Sequence, residues 1–295
     1  MEILSTIFTT LLVQPLANGL AIFIKIFGGN LGLAIITFTI FLRLLLNPLT
    51  KPYMESMKKI RELNPQLDKI KKKYKGDKVK LAQAQADLYK QKGVNPSAGC
   101  IPYIIQIVIL IAFFRMFTMT LSGDGAIEES FNSLLYSPLY FSPEATINTT
   151  FLGIDLTQPN TFTVAFLPFA LPGIILILAA LAQLVSSKIM APAVQAEGEA
   201  AKKTKEIGDD MQATMQKSMV YTFPLFTIIF GMRFPAGLAL YWMVISAFQA
   251  YQQYRTTGWG GMKPWLIRLG LLKSDNSKVS RKKQRGKKTN VKKSK

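Results

Sequence analysis

The chain has no histidine and a single cysteine, Cys100, in 295 residues. The first absence removes serine–histidine and cysteine–histidine nucleophile arrangements together with the commonest zinc sites. The second leaves no partner for an internal disulfide, so the redox compartment is not readable. No glycine-rich phosphate loop is present, which removes any visible ATP engine. Acidic residues are scarce, 17 Asp and Glu against 36 Lys and Arg. The expectation is a protein that is not an enzyme and uses neither a metal nor a small-molecule cofactor.

What is abundant is apolar: 49% of the residues, with a positive mean hydropathy. In a water-soluble protein, so basic a surface beside so large an apolar fraction would demand one very large core. Segregation along the chain resolves the conflict. Apolar stretches fall at 31–50, 98–121, 161–187, 218–231 and 236–254, most of them near the length of about 20 residues that a spanning helix needs. The fourth is short. The fold expected is an all-α polytopic membrane protein with five transmembrane helices.

Charge sets the orientation. Residues 51–96 hold thirteen Lys and Arg, whereas 122–160 hold none and carry Asp124, Glu128, Glu129, Glu144 and Asp155. By the excess of positive charge in cytoplasmic loops, 51–96 lies inside and 122–160 is an acidic outer loop. A mixed cytoplasmic loop at 188–217 and a basic tail at 255–295, with fourteen Lys and Arg against Asp275, complete an N-out, C-in arrangement. Residues 1–30 lack a basic n-region, the first charge being Glu2, so no cleaved secretory signal is expected. Within them, QPLANGLAIFIKIFG at 14–28 suits a helix lying in the outer interface, with Gly28-Gly29-Asn30 turning the chain into the bilayer.

In 51–96, Met54, Met57, Ile60, Leu67, Ile70 and Tyr74 recur at threes and fours, and Val79, Leu81, Ala84 and Leu88 resume the pattern after Gly76-Asp77. Two antiparallel helices form a cytoplasmic hairpin, with Asn64-Pro65 kinking or restarting the first. The tail from Lys278 is basic, low in complexity and expected to be disordered. Its candidate partners are anionic lipid and ribosomal RNA phosphates.

One arginine interrupts the first apolar run, FTIFLRLLLNPLT at 38–50. On a helix starting near Leu31, Arg43 lies roughly 18 Å into a core of roughly 30 Å. Helical side chains lean toward the N-terminus, here away from the cytoplasm, so snorkelling is disfavoured and Arg43 needs a wet or polar surround. Thr39, Arg43, Asn47 and Lys51 repeat every four residues as one polar stripe. Gln106, Gln183, Ser186, Ser187, Thr222, Ser246 and Gln249 likewise fall toward the inner ends of the other stretches. Each alone suits an interhelical hydrogen bond. Together they imply a hydrophilic pocket open to the cytoplasm and closed to the outside.

The residues also resemble a known family. NPLT at 47–50, SMKKI at 56–60, LNP at 63–65, LYK at 88–90, VNPSAGCIPYIIQ at 94–106 and FPAGLALYW at 234–242 are similar to signature stretches of the YidC membrane insertases, whose organelle relatives include the oxidase-assembly and Albino insertases. The resemblance runs from about residue 14 to 257. It implies a five-helix insertase core with a positively charged groove and a cytoplasmic hairpin. It also implies that Arg43 is the groove arginine, Thr39 its neighbour, Gln106 the polar residue of the second span and Tyr241-Trp242 the aromatic pair of the last. Where family members often carry tryptophan at the entrance to the first span, this chain has Leu31.

Insertion without chemical catalysis is the function that follows. Its substrates are nascent membrane proteins, its solvent is the lipid bilayer, and its candidate partners are the ribosome and a Sec-type translocon. The candidate groove residues are Arg43, Thr39, Asn47, Gln106, Gln183, Ser187, Tyr241, Trp242 and Ser246. The alternative is a small-anion transporter or channel with Arg43 as its binding charge.

Overall fold

The computed structural model describes residues 2–74, 76–94, 101–121, 126–190 and 220–273. Most of the expected loop at 188–217, the tail from 274 onward, residues 95–100 with Cys100, and Asp124 lie outside the described residues.

Helix α1 (Glu2–Ile26) is one apolar rod containing a π-helical turn at Thr9–Val13. It begins well before the interfacial helix expected at 14–28, and Val13, Ala17, Leu20, Ala21 and Ile24 on one face are wholly buried. It is thus part of the bundle core as well as an edge element. Gly28 and Gly29 then take left-handed backbone (φ 59° and 88°), and a Cβ at Gly29 would meet the Thr146 carbonyl oxygen at 2.5 Å. Only glycine fits there. The Asn30 side chain accepts from the Leu33 amide at 2.9 Å and so caps the next helix.

That helix, α2 (Leu31–Lys73), is 43 residues long. At about 1.5 Å per residue it reaches about 65 Å, twice the thickness of a bilayer core. No boundary separates a span at 31–50 from the first hairpin helix: both are one rod. Pro48, Pro52 and Pro65 lie inside it. Each removes one intrahelical amide donor, so the carbonyls of Leu44, Pro48 and Arg61 lose their usual partners without ending the helix. Helix α3 (Lys78–Gln91) folds back on the distal part of α2. Asp77 caps it, accepting from the Lys80 amide at 3.0 Å and pairing with Lys80 Nζ at 3.1 Å. Leu63, Leu67, Leu88 and Val94 form a small core there, with Ile60, Ile70 and Tyr89 packed on it. Val79, expected on the apolar stripe, is 77% exposed, because the chain turning at Gly76 sets the first turn of α3 away from α2. The end of the molecule carrying this pair is the arm end.

The opposite, cap end is built from residues 126–172. It follows α4 (Ile101–Leu121) and holds α5 (Ile127–Asn132) and two short antiparallel hairpins, β1 (Thr150–Phe151) with β2 (Ile154–Asp155) and β3 (Thr161–Phe162) with β4 (Leu171–Pro172). The described part of the segment expected as an acidic outer loop, 126–160, is therefore ordered. Asn18 of α1 donates to the Leu134 carbonyl and accepts from the Tyr136 amide at 2.7 Å, and Lys25 donates to the Tyr140 carbonyl at 2.9 Å. The Asn148 amide donates to Gly29 and the Asn148 carbonyl accepts from Leu31. These bonds satisfy backbone groups of the cap and tie it to α1 and to the start of α2.

Helix α6 (Ile174–Met190) starts thirteen residues later than the stretch expected at 161–187, because 161–172 is hairpin. Helix α7 is described over Val220–Gly231, within the stretch expected at 218–231. Helix α8 (Ala236–Thr257) ends at Gly258 (φ 64°), and α9 (Lys263–Arg268) follows. The segment just after 255 is thus ordered. Trp259 packs on Tyr254 at 4.5 Å, and Lys188 lies over the rings of Tyr221 at 4.7 Å and Trp265 at 4.4 Å, joining α6, α7 and α9.

Among the described residues three helices are long and apolar enough to cross a membrane: Glu2–Ile26, Leu31–Leu49 of α2, and Ile104–Leu121 of α4. The contacts of α1 show how it runs. Ser5 accepts from Arg115 of α4 at 2.7 Å, and Gly19 lies against the ring of Phe38, which itself packs on Phe113 of α4 at 6.0 Å. Positions 5 and 19 of α1 thus meet the bundle at nearly one height, although they are about 21 Å apart along the helix. So α1 lies across the bundle rather than along it. The same contact gives Arg115 its partner, Ser5, while Glu128 accepts from the Ile147 amide at 2.7 Å.

Candidate functional site

Three helices converge at the arginine of the first apolar run. Arg43 of α2 is half-buried, and its Nη2 donates to Oε1 of Gln106 on α4 at 2.6 Å. Tyr241 of α8 closes the cap-end side. It is 0% exposed and stacks on Phe113 of α4, with centroids 4.0 Å apart and planes inclined by 19°. The aromatic wall continues through Phe38, Phe23 and Phe41. Gly237 permits this convergence, since a Cβ there would already meet Leu121, the Leu156 carbonyl and Ile35 at 3.3–3.4 Å.

Two donors of this cluster are unspent. Arg43 Nε and the Tyr241 hydroxyl are buried without a hydrogen-bond partner among the described residues, although Arg43, Gln106 and Tyr241 lie close enough to interact. An unpaired buried donor costs about 1–3 kcal/mol. An oxygen acceptor placed beside the guanidinium would satisfy such donors.

Toward the arm end, Asn47 accepts from Gln252 Nε2 of α8 at 2.6 Å. Its neighbour Gln253 turns the other way, its Oε1 accepting from Ser186 of α6 at 3.3 Å and its Nε2 donating to the Met190 sulfur at 3.5 Å. Adjacent residues on a helix face different neighbours, so this glutamine pair laces α8 to both α2 and α6.

The other expected residues divide. Thr39 is buried, and its hydroxyl donates to the Ile35 carbonyl at 2.6 Å, so it is spent on its own helix. Gln183 accepts from the Thr227 hydroxyl, in a seam between α6 and α7. Ser246 is buried, whereas Ser187 and Trp242 are half-buried. Thr222, counted with the polar set, is exposed, and Thr227 does the bonding in its place. Thr227, Gln252 and Gln253 were not singled out. Thr222 and Thr227 are five positions apart, enough to put them on different helix faces, and only the packing of α6 decides which face is interior.

No group of three or more His, Cys, Asp or Glu able to hold a metal occurs among the described residues.

The family described as 60Kd inner membrane protein matches residues 22–260, a span that includes every element of this site. The chain belongs to that family, the YidC insertases. It is similar to the membrane protein insertase YidC of Fusobacterium nucleatum, 30% identical over 226 residues, covering 77% of this chain and 85% of that one. It is also similar to the membrane protein insertase MisCA of Bacillus subtilis, 30% identical over 250 residues, covering 83% and 77%. A solved structure described as an active YidC insertase with the first transmembrane domain resolved superimposes with a TM-score of 0.46 at 24% identity, over 78% of this chain and 43% of that one. As a YidC family member the protein is a multi-pass protein of the bacterial inner membrane.

Proposed function

We propose that this protein inserts nascent integral membrane proteins, receiving a short polar tail of the client in the space around Arg43 while the following apolar segment enters lipid. The observation that carries this reading is the half-buried Arg43–Gln106 pair, beside which Arg43 Nε and the Tyr241 hydroxyl still lack acceptors. A client carboxylate supplies such an acceptor, and a charge-assisted bond to arginine is the stronger kind. Burial of about 20 apolar residues of the client, at about 25 cal/mol per Å², then drives insertion. No chemical bond changes, so no catalytic residue is required.

In this reading α2, α4, α6, α7 and α8 cross the bilayer with the arm end in the cytoplasm, and α1 lies in the outer half. The charge contrast between 51–96 and 122–160 supports that orientation. Asn47–Gln252 marks the cytoplasmic side of the groove. The basic residues beyond 274 are the candidate contact for ribosomal RNA; truncating them should flatten the salt dependence of ribosome binding, and an unchanged dependence would remove that role.

The reading is tested with vesicles containing only this protein. Insertion of a single-span client with an acidic N-tail is expected, without uptake of small anions. Anion uptake without insertion would instead select the transporter reading, in which Arg43 binds the solute.

A further inference from the structure

The stretch 161–172 was expected to be the start of a membrane helix and is a β-hairpin. Its composition remains that of a membrane segment: residues 156–187 contain no Asp, Glu, Lys or Arg. Large apolar side chains point out of the protein along it. Phe162 is 50% exposed, Phe166 82% and Phe169 59%. Three exposed rings on one charge-free hairpin form an apolar patch of the kind that marks an interaction surface.

The neck of the hairpin is fixed. Asn160 Oδ1 accepts from the Ile175 amide at 2.9 Å and the Leu176 amide at 3.2 Å, and the Asn160 carbonyl accepts from Gly173 at 2.7 Å. A Cβ at Gly173 would lie 2.5 Å from the Asn160 side chain, so the two strands leave the helix start as closely as backbone allows. Pro159 also bridges Pro235, the residue before α8. Two apolar helices therefore begin at the hairpin neck, which marks the membrane boundary at the cap end. Helix α6 starts at Ile174, next to the neck, and the hairpin continues from that start. The tip, residues 163–170, has no regular backbone pairing, and irregular backbone is not tolerated in the hydrocarbon itself. Aromatic rings on such a backbone fit one layer, the zone between headgroups and acyl chains.

We propose that residues 161–172 form an interfacial foot: a charge-free hairpin that seats Phe162, Phe166 and Phe169 in the headgroup–acyl boundary of the cap-end leaflet, its partner being the lipid surface. The foot fixes the height of α6 and α8 in the bilayer from one end. On the other, Lys188 between Tyr221 and Trp265 holds α6 to α7 and α9. The inference concerns depth alone and stands whether or not the protein inserts clients.

The test uses the full chain with Cys100→Ser, carrying Phe166→Cys or, separately, Thr163→Cys, labelled with an environment-sensitive fluorophore. Ser142→Cys, exposed elsewhere on the cap, is the reference. Each is placed in phosphatidylcholine–phosphatidylglycerol vesicles, and quenching by nitroxide on the upper acyl chain is compared with quenching by aqueous iodide. Labels at 166 and 163 should be blue-shifted, quenched by nitroxide lipid and shielded from iodide, whereas the label at 142 should be quenched by iodide. Iodide quenching at 166 and 163 equal to that at 142 would overturn the proposal. Shielding from both quenchers would overturn it too, since a protein surface would then cover the tip. Two label sites guard against one variant failing to fold.

Discussion

Arg43 Nη2 donates to Gln106 Oε1 at 2.6 Å, across the contact between α2 and α4. The bond fixes one end of the guanidinium, while Nε is buried without a partner among the described residues and remains a donor on offer.

Charge reversal tests that arrangement. Arg43→Lys should retain much of the insertion of an acidic-tailed client, since a carboxylate needs a charge more than a rigid fork. Arg43→Ala should fold and lose about 10- to 100-fold, the equivalent of one charge-assisted bond of about 1.5–3 kcal/mol. Arg43→Glu should fail on the acidic tail and recover partly on a basic one. Insertion of both clients at matched protein levels decides it; equal activity of Arg43→Ala and wild type would end the electrostatic account.

Tyr241→Phe separates ring from hydroxyl. The stack on Phe113 survives, and a buried hydroxyl without a partner is removed, so thermal stability should hold or rise by about 1 kcal/mol. Insertion of the acidic-tailed client should fall several-fold. A variant that melts earlier than wild type would show that the hydroxyl is already satisfied in the resting protein.

Asn160→Ala should weaken the start of α6. It removes an acceptor shared by two amides, and loss of a cap costs about 0.5–2 kcal/mol. A lowered melting temperature in detergent is the expected readout, with faster amide exchange at Ile175 and Leu176. Unchanged exchange there would mean that water replaces the cap.

The arm has an acid-sensitive joint at Asp77. The Lys80 amide first, and then the Lys80 side chain, hold its carboxyl below the usual aspartate range. A depressed folded-state value means the cap is fully effective above the ordinary aspartate pKa of about 3.9 and is lost as pH falls through the lowered value. Exchange at the Lys80 amide should therefore accelerate in strong acid. In Asp77→Ala it should be fast throughout, and an identical pH profile in the two proteins would refute the cap.

Sequence alone determined that the chain is a membrane protein and that Arg43 is the residue to explain. These rest on composition and on helical period, which are local properties: Arg43, Asn47 and Gln106 are legible because a polar group in an apolar run is conspicuous wherever the neighbours lie. The turn at Gly28-Gly29-Asn30 was legible for the same reason. Tertiary structure alone decided how α1 lies, why 161–172 is a hairpin, and which polar residues meet. Hydropathy cannot tell a lipid-facing hairpin from the first turns of a helix, because both are charge-free; Asn160, bonding 15 and 16 residues ahead in the chain, makes the difference. Nor does a helical repeat say that Thr39 is spent on Ile35 while Asn47 reaches Gln252, 205 residues away. Burial and pairing belong to the neighbour as much as to the residue, and the neighbour is set only when the helices pack.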